Sequence, residues 1–242
     1  MYIDIHSHIT FAQNRYHIDE LLEDMNENQI DKRVISSINN EDLLLNNRSM
    51  NDLCAQYPDR LIGCSMINPK CKNVMEQIKE AIELPYIQFL EFDSFEHGYY
   101  PELQENLFEI FDLVKETNLI VKVFVGIGAR TIPQQWEKYA QAFPTIKFIF
   151  LHMGCFDYGY TCIDVAQRND NIYVETSNQY ELQILRKALK ELKIDKIVFG
   201  TKYPERLTSS SIYLFDMLTI TEEEKAKIFY KNSQNLMNED CR

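Results

Sequence analysis

The chain opens on Tyr2-Ile3-Asp4-Ile5-His6-Ser7-His8, and this stretch sets the reading of the fold. Its first half is a short aromatic and β-branched run, the composition of a strand. Its second half is an H-x-H, and residues two apart on a strand share a face. Both imidazoles can therefore reach one ion at about 2.0–2.1 Å, the usual zinc–nitrogen distance. Asp4 is the natural carboxylate to orient them, with a turn cap as the plainer use. The chain has 5 histidines in 242 residues, so chance pairing at a strand end is the weaker reading.

Seven further runs rich in Val, Ile, Phe and Tyr follow: Arg33–Ile38, Leu61–Ile67, Tyr86–Phe92, Ile120–Gly126, Lys147–Met153, Asn171–Ser177 and Lys196–Thr201. With Tyr2–His6 they make eight strands. The segments between them, such as Glu102–Thr117 and Gln179–Leu192, carry helical spacing. Such alternation implies right-handed βαβ units and a parallel sheet. Eight units with no remainder predict a closed (β/α)8 TIM barrel, one α/β domain over residues 1–242; an open doubly wound sheet is the alternative. Thr221-Glu-Glu-Glu224 predicts a capping box that opens a last helix through about Tyr230.

Composition narrows the function classes. The formal charge of −12 argues against nucleic acid, whose phosphates demand a basic footprint. No window offers the roughly 18 apolar residues of a membrane span. The N-terminus lacks a basic region followed by a cleavage site, so no secretory leader is expected. Cys54, Cys64, Cys71, Cys155, Cys162 and Cys241 form no C-x-x-C pair and suit a reducing cytoplasm better than a disulfide framework. The expected partner is a small-molecule substrate or ligand, with a second copy of the chain in a homodimer.

Active sites of such barrels lie at the C-terminal strand ends. The sixth run ends in His152-Met-Gly154, the eighth in Gly200-Thr-Lys202-Tyr-Pro204, and the fourth in Glu91. A lone histidine is more often a structural hydrogen-bonder, but its place before a glycine favours use. Glu91 is an additional candidate ligand, with a solvated or salt-bridged glutamate as the plainer reading. Four glycines, Gly126, Gly128, Gly154 and Gly200, also fall at strand ends, where backbone can approach a pocket closely. His17 and His97 lie in loops and read as surface residues; Trp136 reads as packing.

Together these residues resemble the amidohydrolase superfamily, in its amidohydrolase-related branch of hydrolases and decarboxylases that includes aminocarboxymuconate semialdehyde decarboxylase. The resemblance runs through Asp4–His8, Tyr57-Pro-Asp-Arg-Leu-Ile-Gly63 with Asn68-Pro69, Leu151–Gly154, Tyr173–Ser177, Phe199–Pro204 and Ala226–Asn232. It implies that His6 and His8 bind a divalent metal, usually zinc, and that His152 is a ligand or general acid/base. It also implies a histidine ending the fifth strand and an aspartate ending the eighth. Here those positions align with Phe124 and Lys202.

An ammonium in place of a carboxylate repels a divalent ion by several kcal/mol at about 5 Å, even at an effective dielectric of about 20. Lys202 would then be neutral, turned away, or the cation that replaces the metal, paired with Glu91, Glu175 or Asp4. His6, His8 and His152 would still suffice for zinc with water in the fourth place. Two functions compete: metal-assisted hydrolysis or non-oxidative decarboxylation of a small molecule, and a non-catalytic descendant that binds a ligand or partner without metal. A Schiff base on Lys202 is a third.

Overall fold

A computed structural model of the chain describes residues 1–12, 15–38 and 43–238. Nine strands form one curled sheet: β1 (Ile3–Ala12), β2 (Arg15–Tyr16), β3 (Lys32–Ile38), β4 (Leu61–Met66), β5 (Ile87–Phe92), β6 (Ile120–Phe124), β7 (Phe148–Leu151), β8 (Ile172–Glu175) and β9 (Ile197–Val198). Their order is β2-β1-β3-β4-β5-β6-β7-β8-β9. All neighbours pair in parallel except β1 with β2. The curled sheet with its helices fits an α/β TIM-barrel fold, and the strand ladder itself is open between β9 and β1.

All eight expected strands are present in sequence order, with shifted ends. The first runs on to Ala12 and folds back through β2, pairing Phe11 with Tyr16. The last is recorded only over Ile197–Val198. Beyond it the chain continues alongside β1, where Ile5 N donates to Phe199 O at 2.9 Å and Lys202 N to His6 O at 2.8 Å. The helix expected over 102–117 is shorter, Leu107–Val114, because Pro101 starts a separate 3-10 turn. The capping box is present, and the helix it opens continues through a π turn at Lys227–Lys231 to Leu236. Among the described residues no helix is long and apolar enough to cross a membrane.

Strand parity sorts the core into layers. Ile5, Val34, Ile62, Phe89, Ile120, Ile149 and Val198 form a buried cluster on the concave face. Outward residues such as Val121, Val123, Phe148 and Phe150 belong to the larger cluster under the helices. Two residues further along β3, β5 and β6 the concave face turns polar, with Ser36, Glu91 and Lys122 buried, and Glu175 of β8 is buried at the same level, while β4 and β7 stay apolar with Cys64 and Leu151. The apolar layer is thus a floor, and the charged side chains stand on it. In β1 the register shifts between Asp4 and Ser7. Such a bulge re-aims side chains, and it falls on the stretch that holds His6.

Trp136 is fully buried among Phe92, Tyr99 and Tyr139, as packing. The five described cysteines are unpaired; Cys241 lies outside the described residues.

Candidate metal centre

Three of the expected ligands converge. The ligand atoms of His6, His8 and Glu91 lie within 4.8 Å of one another, and all three residues are buried. His8 Nε2 is 3.5 Å from Glu91 Oε1, and His6 Nδ1 is 3.7 Å from Glu91 Oε2. His8 Nδ1 is buried without a hydrogen-bond partner, the Glu205 carboxylate lying beyond bonding distance at 3.8 Å. Two imidazoles and a carboxylate are donors that zinc accepts. By donor chemistry the set fits a divalent ion.

A cation already faces these donors. Lys122 points inward from the middle of β6, fully buried, with Nζ 2.9 Å from Glu91 Oε2. It lies 3.3 Å from His6 Nδ1 and donates to Ile5 O at 3.4 Å. Burial opposes its charge, but Cys64 and Glu91 outweigh burial and raise the lysine pKa. Burial pushes the Cys64 thiol itself far up, so near neutral pH Glu91 is the anion that holds the ammonium. Burial also opposes ionisation of Glu91, yet the Lys122 ammonium, helped by the hydrogen bond with His8, keeps that carboxyl well below its usual range. Ser36 Oγ donates to the same carboxylate at 3.1 Å. Burial keeps His6 neutral, its pKa well below the ordinary value.

Lys122 went unread in the sequence. The signal was there: parallel strands are buried on both faces, and Lys122 shares parity with Ile120 and Phe124. Lys202, which the sequence offered as the replacement cation, does something else. Its Nζ pairs with Glu205 at 3.1 Å on the rim and lies 5.9 Å from the Phe124 ring centroid. None of Glu91, Glu175 and Asp4 is its partner. Asp4 accepts from the His6 backbone N at 3.1 Å, not from an imidazole. It also accepts from Arg33 Nε at 2.9 Å, Thr201 Oγ1 at 2.6 Å and Thr201 N at 3.0 Å.

His152 stands beside the cluster and outside the 4.8 Å group, its ring centroid 5.0 Å from that of His6. Its backbone is left-handed at φ 62°, a strained conformation for a non-glycine residue. Two bonds over-determine it. His152 N donates to Glu175 Oε2 at 3.0 Å, and Nδ1 lies 2.8 Å from Ser177 Oγ. Ser177 Oγ donates on to Glu175 Oε2 at 2.8 Å. The chain of bonds assigns the proton to Nδ1 and leaves Nε2 a bare acceptor. That Nε2 is buried with no partner. Burial, then the Lys202 charge, holds the His152 pKa well below its ordinary value. Burial raises Glu175 to about 7. Gly200 is required here, because a Cβ would land on the Glu175 carboxylate.

Phe124 fills the position where a family histidine was expected. Its ring packs edge-on to His152 at 5.1 Å and near Phe95 at 6.2 Å, giving the site an aromatic wall. His17 pairs with the exposed Glu20 at 3.1 Å, and the Lys70 ammonium donates to the carbonyl of His97; neither residue belongs to the cluster.

Proteins of known structure share this fold. A 5-carboxyvanillate decarboxylase from Sphingomonas paucimobilis superposes with a TM-score of 0.78 over 98% of each chain at 14% identity. A dihydroxybenzoic acid decarboxylase from Polaromonas, solved with manganese and 2-nitroresorcinol, gives 0.74 over 98% of this chain and 96% of that one at 16% identity. At such identities the likeness is one of fold. In sequence, the gamma-resorcylate decarboxylase of Polaromonas is 34% identical over 68 residues, 28% of this chain and 21% of that protein. The chain thus covers about a fifth of that curated relative. The family profile described as Amidohydrolase matches residues 3–237, nearly the whole chain, and the chain belongs to that family.

Proposed function

We propose that the protein is a metal-dependent decarboxylase of the amidohydrolase family that acts on a small aromatic carboxylate. The observation that carries this reading is the bare Nε2 of His152, buried between the His6–His8–Glu91 cluster and the Phe124 wall. Phe124 offers an edge and face to an aromatic ring. The Lys202 ammonium, one-fifth exposed at the rim, draws in an anion. His152 Nε2 takes up a proton and delivers it to the ring carbon that loses carbon dioxide, so one proton is consumed per carbon dioxide released. Ser177 and Glu175 stabilise the transient imidazolium through Nδ1. His6, His8 and Glu91 would hold the ion, whose chemistry is to polarise the substrate's oxygens. Zinc suits two imidazoles and a carboxylate; manganese is the ion in the Polaromonas decarboxylase structure. The relatives' names support decarboxylation over hydrolysis. The same reading takes the backbone bonds from residues 199–203 to β1 as closing an eight-stranded barrel of one domain.

A second reading, a protein that keeps the barrel without the reaction, is favoured by one observation: Lys122 already neutralises Glu91. Carbon dioxide release from hydroxylated benzoates, with zinc or manganese added, separates the two. Turnover that falls about 10²- to 10⁴-fold in His152→Gln supports the decarboxylase. No release from any member of the panel by metal-loaded protein would leave the second reading standing.

A further inference from the structure

Lys122 and a divalent ion want the same atoms. Its Nζ lies 2.9 Å from Glu91 Oε2 and 3.3 Å from His6 Nδ1. Both are donors of the candidate metal set. The lysine is fully buried on a short strand flanked by apolar residues, so the ammonium cannot simply swing to water. A positive charge this close to a divalent ion opposes its binding strongly, because little solvent screens the pair.

We propose that Lys122 is an internal competitor of the metal: it holds Glu91 when no ion is bound, and an ion enters only as the ammonium gives up Glu91 and His6. This rests on the reading of His6, His8 and Glu91 as a metal site. It gives the protein a two-state centre, self-neutralised without metal and charged with it. The consequence is weak metal affinity from a donor set that would otherwise bind tightly. Rim residue Lys202, paired with Glu205, has no such hold.

Calorimetric titration of zinc and manganese into the wild type, Lys122→Met and Lys202→Met tests this. Lys122→Met removes the charge at similar length. Lys122→Gln, which keeps a hydrogen bond to Glu91, replaces it if the methionine variant fails to fold. The expected result is a rise in affinity on the order of 100-fold for Lys122→Met, the upper range for a neighbour of a metal site. Lys202→Met should change affinity less than about threefold, and Glu91→Gln added to Lys122→Met should abolish the gain. Equal, tight binding by wild type and Lys122→Met overturns the competitor and leaves the metal reading intact. No binding by any folded variant overturns both.

Discussion

Two buried ion pairs each join neighbouring strands of this sheet, and they differ in what they leave over. In the first, Asp4 and Arg33 join β1 to β3. Both Asp4 oxygens are filled, by Arg33 Nε, the Thr201 hydroxyl and the backbone N–H groups of His6 and Thr201. Arg33 also donates to Asp24 Oδ2 at 2.6 Å and Thr208 at 2.8 Å, and lies over the Tyr203 ring. In the second, Glu91 and Lys122 join β5 to β6, and the imidazoles around them keep unpartnered nitrogens, His8 Nδ1 and His152 Nε2. Buried charge is therefore common to both and marks neither as functional. The kind of atom left over does: the first pair leaves only an N–H donor, Arg33 Nη1, which no ion can use, whereas the second leaves imidazole nitrogens whose lone pairs can bind one, so the first is a structural clamp and the second an open set of ligands.

The largest effect should come from breaking the clamp. Arg33→Ala leaves Asp4 buried and uncompensated and should cost about 3–5 kcal/mol in denaturant unfolding; a loss under about 1 kcal/mol would mean that the first pair is no clamp. Glu175 comes next and is read by pH. Its pKa is raised from 4.5 to about 7, so the folded chain keeps a proton that the unfolded chain has released. The penalty is absent below the lower value, grows as pH rises, and is complete above the upper one, at about 3 kcal/mol. Glu175→Gln should flatten that fall in stability, and an unchanged pH profile would show the carboxyl ionised in place.

Gly200→Ala sharpens the contrast further. Its methyl meets the Glu175 carboxylate and should cost about 1–3 kcal/mol, with the proposed decarboxylation lost through the displaced His152. Full activity in a stable Gly200→Ala protein would detach His152 from its support. The smallest effect is expected at the rim: Lys202→Ala should move stability by less than about 1 kcal/mol while raising KM for an anionic substrate. An unchanged KM would leave Lys202 without a role in binding.

How much of this could be read in the residues depends on what each signal reports. Alternation of apolar runs and helical spacing reports topology, and it set out the eight strands in order. H-x-H and strand-end position report ligand candidates, and His6, His8 and Glu91 do meet. The hairpin at β2 was missed because it falls within a continuation of β1 that carries no glycine or proline. Lys122 was missed because a lysine within an apolar run reads as an outward, solvated residue unless strand parity is followed. Lys202 drew that role instead because it sits on a family position, and position in a motif says nothing of where a side chain finds its counter-charge. The Glu175–Ser177–His152 chain depends on a left-handed turn at His152 that no sequence pattern announced.

The central claim is that His6, His8 and Glu91 form an ion site contested by Lys122. Anomalous diffraction at the zinc or manganese edge, from crystals of wild type and Lys122→Met soaked in each ion, tests it most directly. The predicted result is a single peak bound by His6, His8 and Glu91, stronger in Lys122→Met, with Lys122 drawn away from Glu91 wherever the wild type takes up the ion. No peak there in either protein, or a wild-type peak with Lys122 still against Glu91, would contradict it.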